Sequence, residues 1–331
     1  MERTVQDIVD LASAYYGSAV LFAAIDVGIF EQVESGALDV SQRGMRLLAD
    51  ACVAEGLLVK DGAVYSNTAA SRAALVPGGP ADLTKAIRYN RDVYPAWGRL
   101  AQFARTGKPV ERPEIHLGAD AARTKAFAMA MRARAFAIGR GVVPMLGLEP
   151  AGGGNEKSLL DLAGGPGAYA ELIAKANPGW RVVTVDLPAI SETARECVAA
   201  AGLSDRIECR AGDYHADEYE AGVYDAVTIF GALHQESPES IVGILARANR
   251  ALKPGGQLFV LDMMTDETRA FPKFSALFAL NMALTTADGW VFSDAELKEW
   301  MRKAGFEPGE TRNVPPPMPH WLVTAKKRLA T

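Results

Sequence analysis

Residues 158–170, Ser-Leu-Leu-Asp-Leu-Ala-Gly-Gly-Pro-Gly-Ala-Tyr-Ala, decide the fold. A short apolar run ends in an acid and then in glycines before a helix-forming stretch begins. Leu159, Leu160 and Leu162 suit a strand buried on both faces of a parallel sheet. Gly164, Gly165 and Gly167 let the backbone approach a ligand at the helix N-terminus, where unpaired N–H groups point outward. A nucleotide-like molecule is the guest that such a turn fits. Gly165, Gly167 and Ala170 also satisfy the dinucleotide pattern G-x-G-x-x-G/A, so the turn alone leaves the nucleotide open.

Downstream, strands and helices alternate. Strands are expected over 158–163, 181–186, 206–210, 224–230 and 257–263, with helices running to about 176 and over 189–201, 239–252 and 294–304. That order predicts an α/β unit with an open, doubly wound, mostly parallel Rossmann-like sheet. Lys253-Pro254-Gly255-Gly256 reads as a turn between a helix and the next strand. In such a sheet the ligand lies beyond the carboxyl ends of the strands. Asp186 ends the second strand, where a carboxylate accepts from both hydroxyls of a ribose; its plainer role is a helix N-cap. Gly212-Asp213-Tyr214 follows the third strand, an acid for an exocyclic amine beside a ring that stacks on a base; Asp213 also suits a simple turn. Phe230-Gly231-Ala232-Leu233-His234 follows the fourth.

The preceding half reads differently. The whole chain has 331 residues, 49% apolar and 23% charged, enough for two domains of an ordinary globular protein. A net charge of −5 argues against nucleic acid or an anionic membrane as the main partner. Cys52, Cys197 and Cys209 are unclustered, which gives neither a disulfide framework nor a zinc spacing and suits a reducing cytosol. The apolar stretch 13–25 follows Asp7 and Asp10, is too short to span a bilayer and lacks a basic flank, so a cytoplasmic location is expected. Residues 5–33 read as one or two helices, apolar enough to form a dimer contact or an internal core. Residues 44–68 give a helix and then a hairpin around Asp61-Gly62, the outline of a winged helix. Arg43, Arg46 and Lys60 are too sparse for a DNA-reading helix. A helical region follows over about 82–146, interrupted near 107–113. The glycine-rich segment 147–155 marks the expected boundary between a helical dimerisation and substrate-lid domain, 1–146, and the sheet domain, 147–331.

In their order and spacing these motifs resemble the class I S-adenosylmethionine-dependent methyltransferases, specifically small-molecule O-methyltransferases of secondary metabolism with an N-terminal winged-helix dimerisation domain. LDLAGGPG looks like the family's cofactor loop, VTVDLP its ribose-binding acid, AGDY its adenine-binding acid and ALHQESPE its catalytic-loop histidine. LKPGGQLFVLD is similar to the strand before the acceptor pocket. AAIDVGIFEQV and GLLVKDGAVYSNT resemble the dimerisation helix and wing. The resemblance implies a homodimer, a small-molecule acceptor, S-adenosylmethionine as donor and S-adenosylhomocysteine as product. It implies cofactor contacts from Asp161, Gly164, Gly165, Gly167, Asp186, Leu187, Gly212, Asp213, Tyr214, Phe230 and Gly231. It also implies His234 as general base and Asp262 as the acid that orients it.

The family's pattern is broken at three places in the sheet domain, and the segment between Phe30 and Met45 is shorter than the family's usual helix–loop–helix. His234-Gln235-Glu236 stands for the usual His-Asp-Trp, Val291 stands where a second acid is expected, and Phe230 occupies a position often held by lysine. An acceptor needing little deprotonation fits such changes, so sulfur, nitrogen or carbon acceptors stay beside a hydroxyl. Phe127, Met131, Phe274, Phe278 and Met282 would roof an apolar or aromatic acceptor, and Arg132 and Arg134 would clamp a carboxylate. Tyr15 and Tyr16 would reach a partner's pocket in a swapped dimer. A sulfonium needs no metal, and His116, His215, His234 and His320 lack ligand spacing, so metal independence is expected. A nicotinamide oxidoreductase and a cofactor-sensing winged-helix regulator are the competing functions.

Overall fold

The structure, a computed structural model, describes residues 2–111, 121–150, 156–315 and 318–329. Two compact units form, Met1–Asp92 and Val93–Thr331. In the first, α1 (Val5–Ser13), α2 (Tyr15–Asp26) and α3 (Ile29–Glu34) precede α4 (Arg43–Ala54), and β1 (Leu58–Asp61) pairs antiparallel with β2 (Val64–Asn67) before α5 (Ala69–Ala74). Thr4 and Asp7 close a capping box that starts α1. Ala24, Ile25, Ile29, Phe30, Ala49, Cys52, Leu58 and Leu75 make the core of this unit. Val5, Ile8, Val9, Leu11, Tyr15 and Tyr16 stay exposed on the first two helices.

α6 (Thr84–Trp97) contains the division, and α7 (Leu100–Thr106) and α8 (Ala121–Val142) follow in the second unit. The break therefore falls at 92/93 and not at the glycine run, of which 151–155 lie outside the described residues. The reason is packing: Ile138 and Val142 of α8 join one apolar cluster with the sheet and its helices, so α8 belongs to the second unit.

The sheet strands are β3 (Lys157–Leu162), β4 (Trp180–Asp186), β5 (Ile207–Ala211), β6 (Tyr224–Phe230), β7 (Leu252–Asp262), β8 (Phe306–Asn313) and β9 (Trp321–Lys327). Their spatial order is β5-β4-β3-β6-β7-β9-β8. The first five are parallel, and β9 and β8 close the sheet antiparallel. Helices α9 (Ala168–Ala176), α10 (Pro188–Ala200), α11 (Pro238–Ala251), α12 (Lys273–Thr285) and α13 (Asp294–Lys303) complete the unit. Alternation along β3 sends Leu160 and Leu162 into a cluster with α11 and α13, while Leu159 packs with α8, α9 and α10. Both faces are covered, as a parallel sheet requires.

Lys253–Gly256, expected as a turn, is the start of β7. Pairing jumps there from Tyr224–Leu252 to Ala226–Gln257, a bulge that takes Gly255 to φ 74°. The strand order reverses between β3 and β6, whose carboxyl ends therefore flank the crevice where such sheets take ligands.

Candidate active site

β3 ends at Leu162, and the backbone turns through Ala163 at φ 54°, Gly165 at φ 57° and Gly167 at φ 75° into α9. Gly164 is required by close approach: a Cβ there would sit 1.9 Å from Thr184 Oγ1 and 2.5 Å from Asp161 Oδ2. Asp161 lies beneath this turn with no exposed surface, accepting from Thr228 Oγ1 at 2.7 Å and Thr184 Oγ1 at 3.4 Å. Burial pushes its carboxyl up to about 7. Expected as a cofactor contact, Asp161 instead supports the turn from inside the sheet.

Asp186 ends the neighbouring strand. Its two oxygens accept at 2.7 Å from the N–H groups of Gly165 and Leu187, so the acid ties the glycine turn to the start of α10. Burial raises its pKa to about 6 against the pull of those two donors. Gly212 N–H donates to the Asp186 carbonyl at 2.9 Å, placing Gly212-Asp213-Tyr214 beside it.

Here the structure adds a residue that sequence reasoning passed over. The Glu236 carboxylate accepts from Tyr214 Oη at 2.8 Å and Ser240 Oγ at 2.6 Å, and faces His215 Nε2 at 2.8 Å. His215 Nδ1 lies 2.7 Å from Asp213 Oδ1, so the imidazole bridges two carboxylates, which raise its pKa against the effect of burial. An acid two residues after His234 was the available signal, but nothing local showed that it crosses to Tyr214.

Phe230 ends β6, and its ring meets Tyr169 of α9 edge-on at 5.0 Å. The following segment turns through Gly231 at φ 66° and delivers His234, which is 7% exposed. His234 Nδ1 lies 2.6 Å from Oδ1 of Asp262, the fully buried last residue of β7. His234 N–H donates to Asp262 Oδ2 at 3.2 Å, and Met263 N–H donates to Oδ1 at 2.8 Å. Held by two amides, this carboxylate fixes the imidazole plane.

α12 covers that pair. Phe278 packs edge-on to His234 at 5.2 Å, and Met263, Phe278, Met282 and Val291 form a separate buried apolar cluster. Phe274 stacks on Phe278 at 6.1 Å but is 50% exposed. Trp97 Nε1 donates to Asn281 Oδ1 at 2.9 Å, and Val110 N–H donates to Leu284 O at 3.0 Å, which fix α12 from outside.

α8 brings Phe127, Met131 and Arg134 to this unit, all partly buried. Arg132, expected to clamp a carboxylate of the acceptor, has another task. Its guanidinium pairs with buried Glu171 and donates to Pro166 O at 2.8 Å, pinning the glycine turn to α8. An arginine facing a buried acid on the adjacent helix is taken by that charge first. Val291, in the place expected for a second acid, is buried in the α12 cluster. Among the described residues no three His, Cys, Asp or Glu side chains group as metal ligands; His116 lies outside them.

Residues 116–307 match the O-methyltransferase domain family, and residues 9–77 match the O-methyltransferase dimerisation domain. The chain belongs to the S-adenosylmethionine-dependent O-methyltransferases. A relative from Streptomyces sahachiroi, 3-hydroxy-5-methyl-1-naphthoate 3-O-methyltransferase, is 30% identical over 320 residues, 93% of this chain and 90% of the relative. The tetracenomycin polyketide synthesis 8-O-methyl transferase of Streptomyces glaucescens is 29% identical, over 94% of each chain. Human N-acetylserotonin methyltransferase, solved in complex with SAM, shares the fold at a TM-score of 0.85 and 24% identity, over 99% of each chain.

A Cβ at Gly165 or Gly231 would meet nothing within 4 Å, so the ends of β3 and β6 face open space across the switch point. The Asp186 carboxylate borders that space through its bond to Gly165. The oxidoreductase and regulator readings fall with the family assignment.

Proposed function

We propose that this O-methyltransferase methylates a ring hydroxyl of an aromatic small molecule, with His234 as general base. The observation that carries the reading is the 2.6 Å contact of His234 Nδ1 with buried Asp262 at adjacent strand ends. A carboxylate only accepts, so Nδ1 carries the proton and Nε2 is left as the base. Asp262 holds that tautomer and balances the imidazolium formed when Nε2 takes the hydroxyl proton. A positioned base of this kind is worth about 10²- to 10⁴-fold.

S-adenosylmethionine, when bound, supplies a sulfonium methyl that needs no activation by a metal. Gly164, Gly165, Gly167, Leu187 and Gly231 would offer backbone at the donor, and Asp186 would accept from the ribose hydroxyls. Gly212, Asp213, Tyr214 and Phe230 would surround the base. Phe278, Met282 and Met263 supply the apolar wall for an aromatic acceptor, with Phe127, Met131 and Phe274 at its margin. Relatives whose names specify a naphthoate and a polyketide support an aromatic ring.

We infer a homodimer formed through α1 and α2. Tyr15 and Tyr16 are 53% and 58% exposed, and the 5–26 stretch is apolar enough to cross a membrane yet lies largely inside the dimerisation match. A second copy is the cover that match supports. Incubation with S-adenosylmethionine and 3-hydroxy-1-naphthoate should yield the methyl ether and one S-adenosylhomocysteine per turnover. Transfer to its carboxylate or to a ring carbon in place of the hydroxyl would refute the hydroxyl assignment.

A further inference from the structure

Glu236 follows the single 3₁₀ turn Leu233–Gln235 that carries His234. The main chain of this segment is gripped from two sides. His234 N–H donates to Asp262 Oδ2 at 3.2 Å, and the His234 carbonyl accepts from Trp290 N–H at 2.9 Å. The Glu236 carbonyl accepts from the Trp290 indole Nε1 at 2.9 Å, so one tryptophan fixes both residues. Trp290 is itself seated by Arg269, whose guanidinium lies 5.1 Å from its ring. The Glu236 side chain reaches away from this segment. β5, which precedes Tyr214, stands three places from β6 in the sheet, yet the carboxylate accepts from Tyr214 Oη at 2.8 Å and lies 2.8 Å from His215 Nε2. Ser240 Oγ, at the start of α11, donates to it at 2.6 Å. Glu236 is 8% exposed, and a carboxylate buried to that depth is stable only where its oxygens are bonded. Its three side-chain partners define one position for it, and that position joins the 212–214 corner of the crevice to the backbone of His234.

We propose that Glu236 is a positioning residue for methyl transfer: through its carboxylate, a donor seated at the 212–214 corner fixes the turn that presents His234. The inference rests on the donor placement and the His234 base proposed above. Binding that stiffens one end of such a link lowers the freedom of the other. The path runs through the Glu236 side chain and along the main chain held by Trp290, so it does not need the His234 ring. Glu236 itself takes neither the proton nor the methyl group.

Hydrogen exchange reads this link without an acceptor. In the wild type, S-adenosylhomocysteine should slow exchange of the 233–236 amides about tenfold, along with the amides of Gly164, Gly165 and Gly167. In Glu236→Ala at saturating S-adenosylhomocysteine, the glycine amides should stay slowed while the 233–236 amides lose most of the effect. Glu236→Gln, whose amide oxygen still accepts from Tyr214 and Ser240, should keep most of it. Tyr214→Phe keeps the ring and alters no atom of the turn, and should reduce the slowing at 233–236 about threefold. With saturating donor and 3-hydroxy-1-naphthoate, kcat should fall about tenfold or more in Glu236→Ala and about threefold in Tyr214→Phe, with acceptor KM within about twofold. Slowing at 233–236 that is unchanged in Glu236→Ala, or in Tyr214→Phe should the first variant not fold, overturns the proposal. A wild type that binds S-adenosylhomocysteine without slowing 233–236 overturns it as well. Equal loss at the glycine turn and at 233–236 makes Glu236 a scaffold of the donor site and also overturns it. A wild type that shows the exchange pattern but leaves the naphthoate unmethylated refutes the acceptor reading, while the exchange pattern still upholds the link.

Discussion

The two sides of the crevice are built from different materials. On the donor side, one strand–turn–helix and the next strand end suffice: Gly165 and Leu187 hold Asp186 through backbone N–H groups, and Arg132 pins the turn through the Pro166 carbonyl. On the proposed acceptor side, side chains converge from distant elements: His234 after β6, Asp262 on β7 and Phe278 on α12. In the proposed site the donor would meet backbone of the glycine turn, held in place by the Asp186 and Arg132 side chains. The acceptor would be met by side chains on separate elements.

The largest effect that would break this division is on His234. Replacement by Ala should lower kcat about 10²- to 10⁴-fold while leaving S-adenosylhomocysteine affinity unchanged, as measured by calorimetry on the same protein. A parallel loss of affinity would show that the two sides are not separable. Next comes the strut on the donor side. Arg132→Met leaves Glu171, only 2% exposed, with the distant Lys175 contact at 3.4 Å, and should cost about 3 kcal/mol in a urea titration. It should also weaken cofactor binding without changing the acceptor KM.

A smaller effect lies in the pH dependence of Asp186. Its pKa is raised to about 6, and ribose hydroxyls donate best to the ionised form, so the S-adenosylhomocysteine Kd should rise about tenfold per pH unit as pH falls below about 6. The sign for the free protein is opposite. A folded pKa above the unfolded value of about 3.9 gives stability that is full below about pH 4 and lost as pH rises through about 6. Affinity that is flat from pH 5 to 8 would remove Asp186 from the ribose. The smallest expected effect is none: a chelator should leave methyl transfer unchanged, and activity lost and then restored by a divalent ion would contradict metal independence.

Legibility in the sequence follows the same division. The donor side was readable because its parts are local: Leu159 to Ala170 carries the strand, the turn and the helix start, and Asp186 stands at the next strand end. The positions of His234 after β6 and Asp262 at the end of β7 were readable because strands and helices alternate regularly there. Arg132 was misread because its partner Glu171 is on another helix, and burial of an ion pair leaves no mark in local spacing. Glu236 looked like a departure from a motif, although its carboxylate organises Tyr214, His215 and Ser240. β8 escaped notice because Pro308, Gly309 and charged residues interrupt the apolar pattern of an edge strand. The unit boundary was displaced for a related reason: the glycine run is a conspicuous break, whereas α8 joins the sheet through Ile138 and Val142 by packing alone.

The central claim, that donor and acceptor meet at the His234–Asp262 pair, is tested most directly by a crystal structure with S-adenosylhomocysteine and 3-hydroxy-1-naphthoate. The account predicts the ring hydroxyl within about 2.6–3.2 Å of His234 Nε2, on the side of the ring facing the sulfur. A hydroxyl that faces the sulfur but lies out of reach of His234 would contradict it.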